Sequence, residues 1–283
     1  MINTLKIDEI YEAEVIGLEN EGKGVCKVGG IIVFVPKTLK GAKIRFRVTE
    51  IKKNFAKGKL VQVLKESDKR VKPSCPYYEE CGGCNLRHQE MKENLKFKKE
   101  KIENALKRIG KIDKKVEDVI PSFKNDNYRN KISLKVEDDK IGFYGEGTYQ
   151  LIDIDNCLLA VNEINEAIKV IRTYIKGFKN KIKTVTIKYG NAMDDILIDI
   201  YSLSQDDVGI INYLTSNISN LKTVIFNDKV IFGTGYIKEI SNGLMFNCSS
   251  KSFFQVNGMQ AEKMYDEAIK LAKLKKDDVV LDL

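Results

Sequence analysis

The sequence predicts a multidomain α+β protein: an OB-like β-barrel at residues 1–66, a central α+β domain at 67–250, and the first helix and strand of a third domain at 251–283. Three observations carry this. Short strand-like runs separated by glycine turns fill residues 5–65, residues 116–256 mix strand alternation with helical spacing, and residues 258–283 read as an amphipathic helix followed by an apolar run.

The barrel comes first. Residues 11–18, 24–28, 31–36, 43–51 and 59–64 are strand candidates, broken at Gly22, Gly29-Gly30, Gly41 and residues 54–58. Five short strands in about sixty residues predict a closed or nearly closed barrel. Residues 66–90 lose this periodicity. Met91, Leu95, Ile102, Leu106 and Ile109 then recur at helical spacing, with Gly110 as the stop.

In the central domain Ile132, Leu134 and Val136 alternate along a strand, and residues 141–144 follow after a turn. Residues 184–189 and 195–201 make another strand pair. Ile164, Ala167, Ile168, Ile171 and Ile175 mark a helix, and 208–219 a weaker one. The order fits an α+β layer better than a strict βαβ series. At the end, Ala261, Met264, Tyr265, Ala268 and Ala272 share one helix face, and 279–283 (VVLDL) has a buried-strand pattern.

Charge points to an anionic partner. The chain has 283 residues, 43% hydrophobic and 31% charged, too apolar for a disordered protein, with a formal net charge of +8. The excess is localised: residues 1–36 carry three Lys against six acids, whereas 37–72 carry thirteen Lys and Arg against three. A solvated lysine surface would give the same count. Clustering in a β-rich segment with Phe46 and Phe55 interleaved favours a phosphate-binding face, with Arg45, Arg47, Lys52 and Lys53 as candidate RNA contacts. Residues 92–115 add ten Lys and Arg against four acids. There is no apolar run of eighteen residues, and residues 1–15 lack the pattern of a signal peptide, so the expected location is the cytoplasm.

Six cysteines in such a chain point to a metal or redox site rather than a disulfide framework. Cys75, Cys81 and Cys84 lie in PSCPYYEECGGC, a C-x5-C-x2-C spacing whose Gly82-Gly83 lets backbone wrap a bulky ligand. A [4Fe–4S] cluster needs a fourth ligand from Cys26, Cys157 or Cys248. The rival is zinc on Cys75, Cys81, Cys84 and His88. Radical S-adenosylmethionine enzymes use C-x3-C-x2-C, which this spacing does not match.

CPYYEECGGCNLRH, YRNKISLKV at 128–136, LIDIDNCLL at 151–159 and SFFQVN at 252–257 follow the basic barrel in order. In this the chain resembles the bacterial 23S ribosomal RNA (uracil-5-)-methyltransferases of the RumA type, and its barrel resembles a TRAM domain. The resemblance implies a [4Fe–4S] cluster on Cys75, Cys81, Cys84 and Cys157, S-adenosylmethionine contacted by Gln255, and RNA contacts from Tyr128, Arg129, Lys131 and Phe253. It implies an iron–sulfur central domain, a Rossmann-like methyltransferase domain beginning near residue 251, a monomer, and C5-methylation of a uridine in 23S rRNA. In that reaction a thiolate adds to C6, the resulting enolate attacks the methyl sulfonium, and a base removes the C5 proton. Family members place the nucleophilic Cys and the base beyond the residue matching Leu283, so the expectation from sequence is a truncated fragment without catalytic residues, inactive alone. The competing expectation is a non-enzymatic RNA-binding module with a metal or iron–sulfur site that acts in ribosome assembly.

Overall fold

A computed structural model describes residues 5–178, 181–204 and 209–281. The chain forms two compact units, Met1–Pro121 and Ser122–Leu283, so the cysteine segment and the basic helix belong to the same unit as the barrel.

In the first unit six strands make one sheet: β1 (Ile10–Glu14), β2 (Gly17–Leu18), β3 (Gly24–Val28), β4 (Ile31–Val35), β5 (Lys43–Ile51) and β6 (Phe55–Lys65). Their order is β1-β5-β6-β4-β3-β2, and β1 also lies against β3, which curls the sheet toward closure. All pairings are antiparallel except β4 with β6. Alternation on β5 sends Ile44, Phe46 and Val48 inward to join Val15, Cys26, Val33, Val35 and Ala56, while Lys43 and Arg47 face outward.

Two barrel boundaries differ from expectation. The run at 11–18 is split, because Val15 turns into the core and exchanges hydrogen bonds with Gly41 and Ala42 instead of continuing a strand. The last strand starts at Phe55, not at residue 59. Gly58 is therefore a strand residue, and a Cβ there would come within 2.6 Å of the Phe46 ring. A glycine's tolerance of close approach and its tolerance of turns look alike in sequence, which is why this strand residue resembles a turn. Beyond the barrel, helix α1 (Met91–Arg108) forms where expected, with none of its residues fully buried.

The second unit is built on a seven-stranded sheet. Its strands are β7 (Lys131–Glu137), β8 (Lys140–Tyr144), β9 (Leu151–Asp153), β10 (Ile182–Gly190), β11 (Asp195–Ser202), β12 (Leu221–Phe226) and β13 (Lys229–Gly233). They run in the order β13-β12-β11-β10-β7-β8-β9, with only β11 and β12 parallel. Helix α2 (Asn162–Gly177) buries Ile164, Ala167, Ile168, Ile171 and Ile175 against β8 and β10, and α3 (Gly209–Asn217) packs on β12. On the opposite face lies the hairpin β14 (Tyr236–Ser241)–β15 (Leu244–Ser249), where Leu197, Ile225, Ile237 and Cys248 form a small core with Phe254. The hairpin comes so close to β10 that a Cβ at Gly190 would lie 2.6 Å from the Lys238 carbonyl oxygen.

Helix α4 (Gly258–Ala272) starts where Asn257 Oδ1 accepts from the Gln260 N–H at 3.2 Å. Of the expected face only Ala261 is fully buried. The expected final strand does not form: residues 279–281 are irregular, and Val279 is 98% exposed. A β-strand needs a partner, and an apolar run alone does not supply one. Asp282 and Leu283 lie outside the described residues. Among the described residues no helix is long and apolar enough to cross a membrane.

Candidate functional site

The barrel carries the first cluster of candidates. Arg45 faces outward on β5, opposite Glu12 on β1 and Gln62 on β6. Its guanidinium donates to Glu12 at 2.6 Å and holds that carboxyl below the usual range. Arg47 Nη1 donates to the Asp8 carbonyl oxygen at 3.0 Å. Lys52 and Lys53 occupy the short β5–β6 turn, both exposed. Hydrogen bonds from Lys52 and then Lys57 pull Glu50 down to about 2. The basic face is thus real but partly neutralised by Glu12 and Glu50, which lowers its pull on a phosphate chain below what the net charge of its segment implies.

The cysteine segment folds as successive turns after β6. Cys75, Cys81 and Cys84 are all half-buried, and the Gly83 N–H donates to Cys81 Sγ at 3.4 Å. His88 is fully buried. Its Nδ1 pairs with the Tyr78 hydroxyl, and burial followed by the Arg70 charge pushes the ring down to about 4, against a backbone hydrogen bond with Thr38. Among the described residues no three His, Cys, Asp or Glu side chains gather to hold a metal ion. His88, the candidate fourth zinc ligand, packs its ring against Tyr78 with centroids 5.6 Å apart. Cys26, buried in the barrel, is pushed up to about 11. Cys248 is also pushed up by burial, so neither is a ready thiolate.

In the second unit the structure brings most of the remaining candidates together around Asn130. The Tyr128 and Arg129 N–H groups both donate to the Leu159 carbonyl, at 3.0 and 2.7 Å, which lays this segment along the loop containing Cys157. That loop is fixed by Asn165, whose Oδ1 accepts from the Cys157 N–H at 2.9 Å and whose Nδ2 donates to the carbonyls of Cys157 and Ala160. The Asn130 N–H donates to Val256 O at 3.1 Å, and its Nδ2 reaches Gln255 O at 3.4 Å and Glu239 Oε1 at 2.9 Å.

The loop 249–257 is held from below by charges that sequence reasoning missed. Lys188, on β10, is 4% exposed and donates to Ser249 O at 2.6 Å and Ser252 O at 2.8 Å. Lys131 adds a longer bond to Ser250 O at 3.5 Å. Burial, and then the Lys131 charge, push Lys188 down to about 8. Glu239, on β14, is also 4% exposed, and burial pushes it up to about 7. No local signal marks these two, since each acquires its role only from the hairpin packing on the sheet. The loop itself sorts its aromatics: Phe254 packs on Phe246 with centroids 5.7 Å apart, while Phe253 is 83% exposed. Gln255 is half-buried beside them. Arg129 Nε is buried without a hydrogen-bond partner among the described residues.

The chain's relatives bear on this arrangement. Residues 6–61 match the TRAM domain. The chain is 34% identical to an uncharacterized RNA methyltransferase of Caldanaerobacter subterraneus, over 100% of this chain and 69% of the relative. It is 32% identical to one of Clostridium acetobutylicum, over 98% and 68%. Its fold is similar to the crystal structure of Pyrococcus abyssi tRNA (uracil-54, C5)-methyltransferase in complex with S-adenosyl-L-homocysteine, with a TM-score of 0.71, 24% identity, and coverage of 92% of this chain and 65% of that one. The chain thus spans just under two thirds of that solved protein.

These matches correct the expectation of an inactive fragment without a catalytic role, and the chain spans 68–69% of the length of these two relatives. Relatives named RNA methyltransferase match from end to end of this chain, and the solved methyltransferase fold follows 92% of it. The expected opening of a Rossmann-like domain at residues 251–283 is corrected as well: its helix forms as α4, but residues 279–281 are irregular and make no strand.

Proposed function

Because the chain belongs to the RNA methyltransferase family represented by its Caldanaerobacter and Clostridium relatives, we propose that it acts in S-adenosylmethionine-dependent C5-methylation of a uridine in 23S ribosomal RNA. The observation that carries this reading is the loop 252–257: Phe254 anchors it, the preceding Phe253 stands in solvent, and Asn130 pins the backbone of Gln255. An exposed aromatic on a rigid loop suits RNA chemistry, because the target base must leave its stack and something must fill the gap.

The methyl donor, when bound, supplies an electrophilic methyl group on a sulfonium. The chain's own residues do the positioning. Gln255 is the candidate donor contact, Phe253 the filler, and Tyr128, Arg129 and Lys131 the RNA contacts beside them. Arg45, Arg47, Lys52 and Lys53 on the TRAM barrel bind phosphates and carry no base information. Such work on ribosomal RNA belongs in the cytoplasm.

The cysteines enter the same proposal as candidates. Half-buried Cys75, Cys81 and Cys84 within ten residues, and the Gly83 N–H turned to Cys81 Sγ, support a [4Fe–4S] cluster completed by Cys157. When bound, such a cluster would support the fold of the cysteine segment and take no part in methyl transfer. Iron and sulfide analysis of anaerobically prepared protein tests it, and iron-free protein removes it.

The decisive experiment is methyl transfer from radiolabelled S-adenosylmethionine to transcripts of 23S rRNA and of tRNA, with nucleoside analysis of the product. Label recovered as 5-methyluridine in 23S rRNA is the expected result. Label in tRNA alone reassigns the substrate, and absence of label from both refutes the activity.

A further inference from the structure

Away from the 249–257 loop, the first unit holds a groove of about 750 Å3 between the barrel and α1. That volume falls in the range of small-molecule sites. One wall is the chain from Ile16 to Asn20, and the other is α1. Lys101 on α1 ties the walls together by donating to the Asn20 carbonyl oxygen at 2.9 Å. The floor is where Gln89 bridges to Arg70 and the Glu90 N–H donates to Lys69 O at 2.9 Å.

Three kinds of group line it. Phe97 and Phe34 supply half-buried aromatic surface. Lys40 and Lys69 supply cations, and Glu93 and Glu100 supply carboxylates from the helix side. Gln89 adds an independent sign of an incomplete site: the residue is 7% exposed, and its Oε1 is buried with no hydrogen-bond partner among the described residues. A buried acceptor left unmade costs about 1–3 kcal/mol. The terminal amide torsion of glutamine is broad, so the oxygen can turn to a donor that enters the groove.

We propose that this groove takes one nucleotide of a single-stranded RNA, its base against Phe97 with an N–H on Gln89 Oε1, its ribose 2′-hydroxyl donating to Glu93 or Glu100, and its phosphate on Lys40 and Lys69. The assignment rests on RNA being the macromolecular partner, but it concerns a different surface from the outward face of β5. Every base offers an N–H on its Watson–Crick edge, and only RNA offers the 2′-hydroxyl. The groove therefore discriminates RNA from DNA, which a phosphate-binding strand face alone does not.

The test uses the full chain, fluorescein-labelled heptamers r(U)7 and d(U)7, and uridine 5′-monophosphate followed by NMR at the Gln89 side-chain amide. Phe97→Ala is expected to weaken r(U)7 by about tenfold, the loss of one stacked base. Gln89→Met is expected to weaken it about three- to tenfold, while melting temperature holds or rises because an unpaired buried acceptor has gone. Both variants should lose the preference for r(U)7 over d(U)7, whereas Arg45→Ala with Arg47→Ala should lower affinity and keep it. Folded pocket variants that bind r(U)7 as wild type does, with that preference intact, overturn the proposal. So does a Gln89 amide that ignores the mononucleotide. A Gln89 amide that shifts with mononucleotide in a protein that binds neither heptamer leaves the groove standing and refutes RNA as the partner.

Discussion

Lys188 reaches across the hairpin face of the sheet and donates to the carbonyl oxygen of Ser252 at 2.8 Å, three residues before Gln255. With Ser249 O as its second acceptor at 2.6 Å, one buried ammonium closes the turn between β15 and the SFFQVN segment. The Ser249 and Ser252 hydroxyls, 2.9 Å apart, complete the clamp. Lys188→Met should leave two carbonyls without a donor and cost about 2–3 kcal/mol. Amide exchange at residues 249–256 should accelerate more than exchange in β10 itself. Mass-spectrometric hydrogen exchange checks this, and uniform acceleration across the second unit would show that Lys188 supports the whole sheet and not this loop.

Glu239 makes a prediction with a pH sign. Burial holds its folded-state value at about 7, above the ordinary 4.5, so the folded protein keeps a proton that the unfolded chain releases. Its contribution to stability is complete below pH 4.5 and lost as pH rises to 7. Glu239→Gln keeps an acceptor for Asn130 and removes the titration. The difference in unfolding free energy, variant minus wild type, should therefore climb by about 1–3 kcal/mol between pH 4.5 and 7 and then level off. A flat difference in chemical denaturation across that range would mean that Glu239 is not charged at the cost its burial implies.

What could be read from the sequence was whatever a short window contains. Alternation at Ile44, Phe46 and Val48 gave the inward face of β5 directly, and the helical spacing of Ile164, Ala167, Ile168 and Ile171 gave α2. Residues whose role depends on distant partners were invisible. Lys188 and Glu239 look like ordinary polar strand residues until the hairpin packs on the sheet, and Gly58 looks like a turn until Phe46 lies over it. The loop residues Phe253 and Gln255 were found through motif resemblance. That Asn130 joins their loop to the Cys157 segment required coordinates.

Glu12 should act as an antagonist of RNA binding. It occupies Arg45 at 2.6 Å and also lies 3.8 Å from Lys43, so both cations are partly spent within the barrel. Glu12→Gln should raise RNA affinity at low salt and steepen the dependence of log K on log salt by up to about one unit, as one more phosphate contact becomes available. Arg45→Ala should do the reverse. Titrations at several salt concentrations decide it, and a Glu12→Gln protein with unchanged slope would place the RNA elsewhere than on this face.

Adjacent phenylalanines offer the sharpest separation of structure from function. Phe254 packs into the small core of Leu197, Ile225, Ile237 and Cys248, whereas Phe253 is 83% exposed. Phe254→Ala should cost about 3 kcal/mol through lost burial and the space left behind. Phe253→Ala should leave stability within about 0.5 kcal/mol of wild type, because its ring already lies in water. If Phe253 fills the gap left by a displaced base, its removal should instead depress methyl transfer to 23S rRNA by about tenfold or more, corresponding to the 1–3 kcal/mol of one stacked base. The two measurements must be made together. A Phe253→Ala protein of normal stability and normal methylation would leave the exposed ring without a role in the reaction, and an equally destabilised pair would mean that both rings belong to the core.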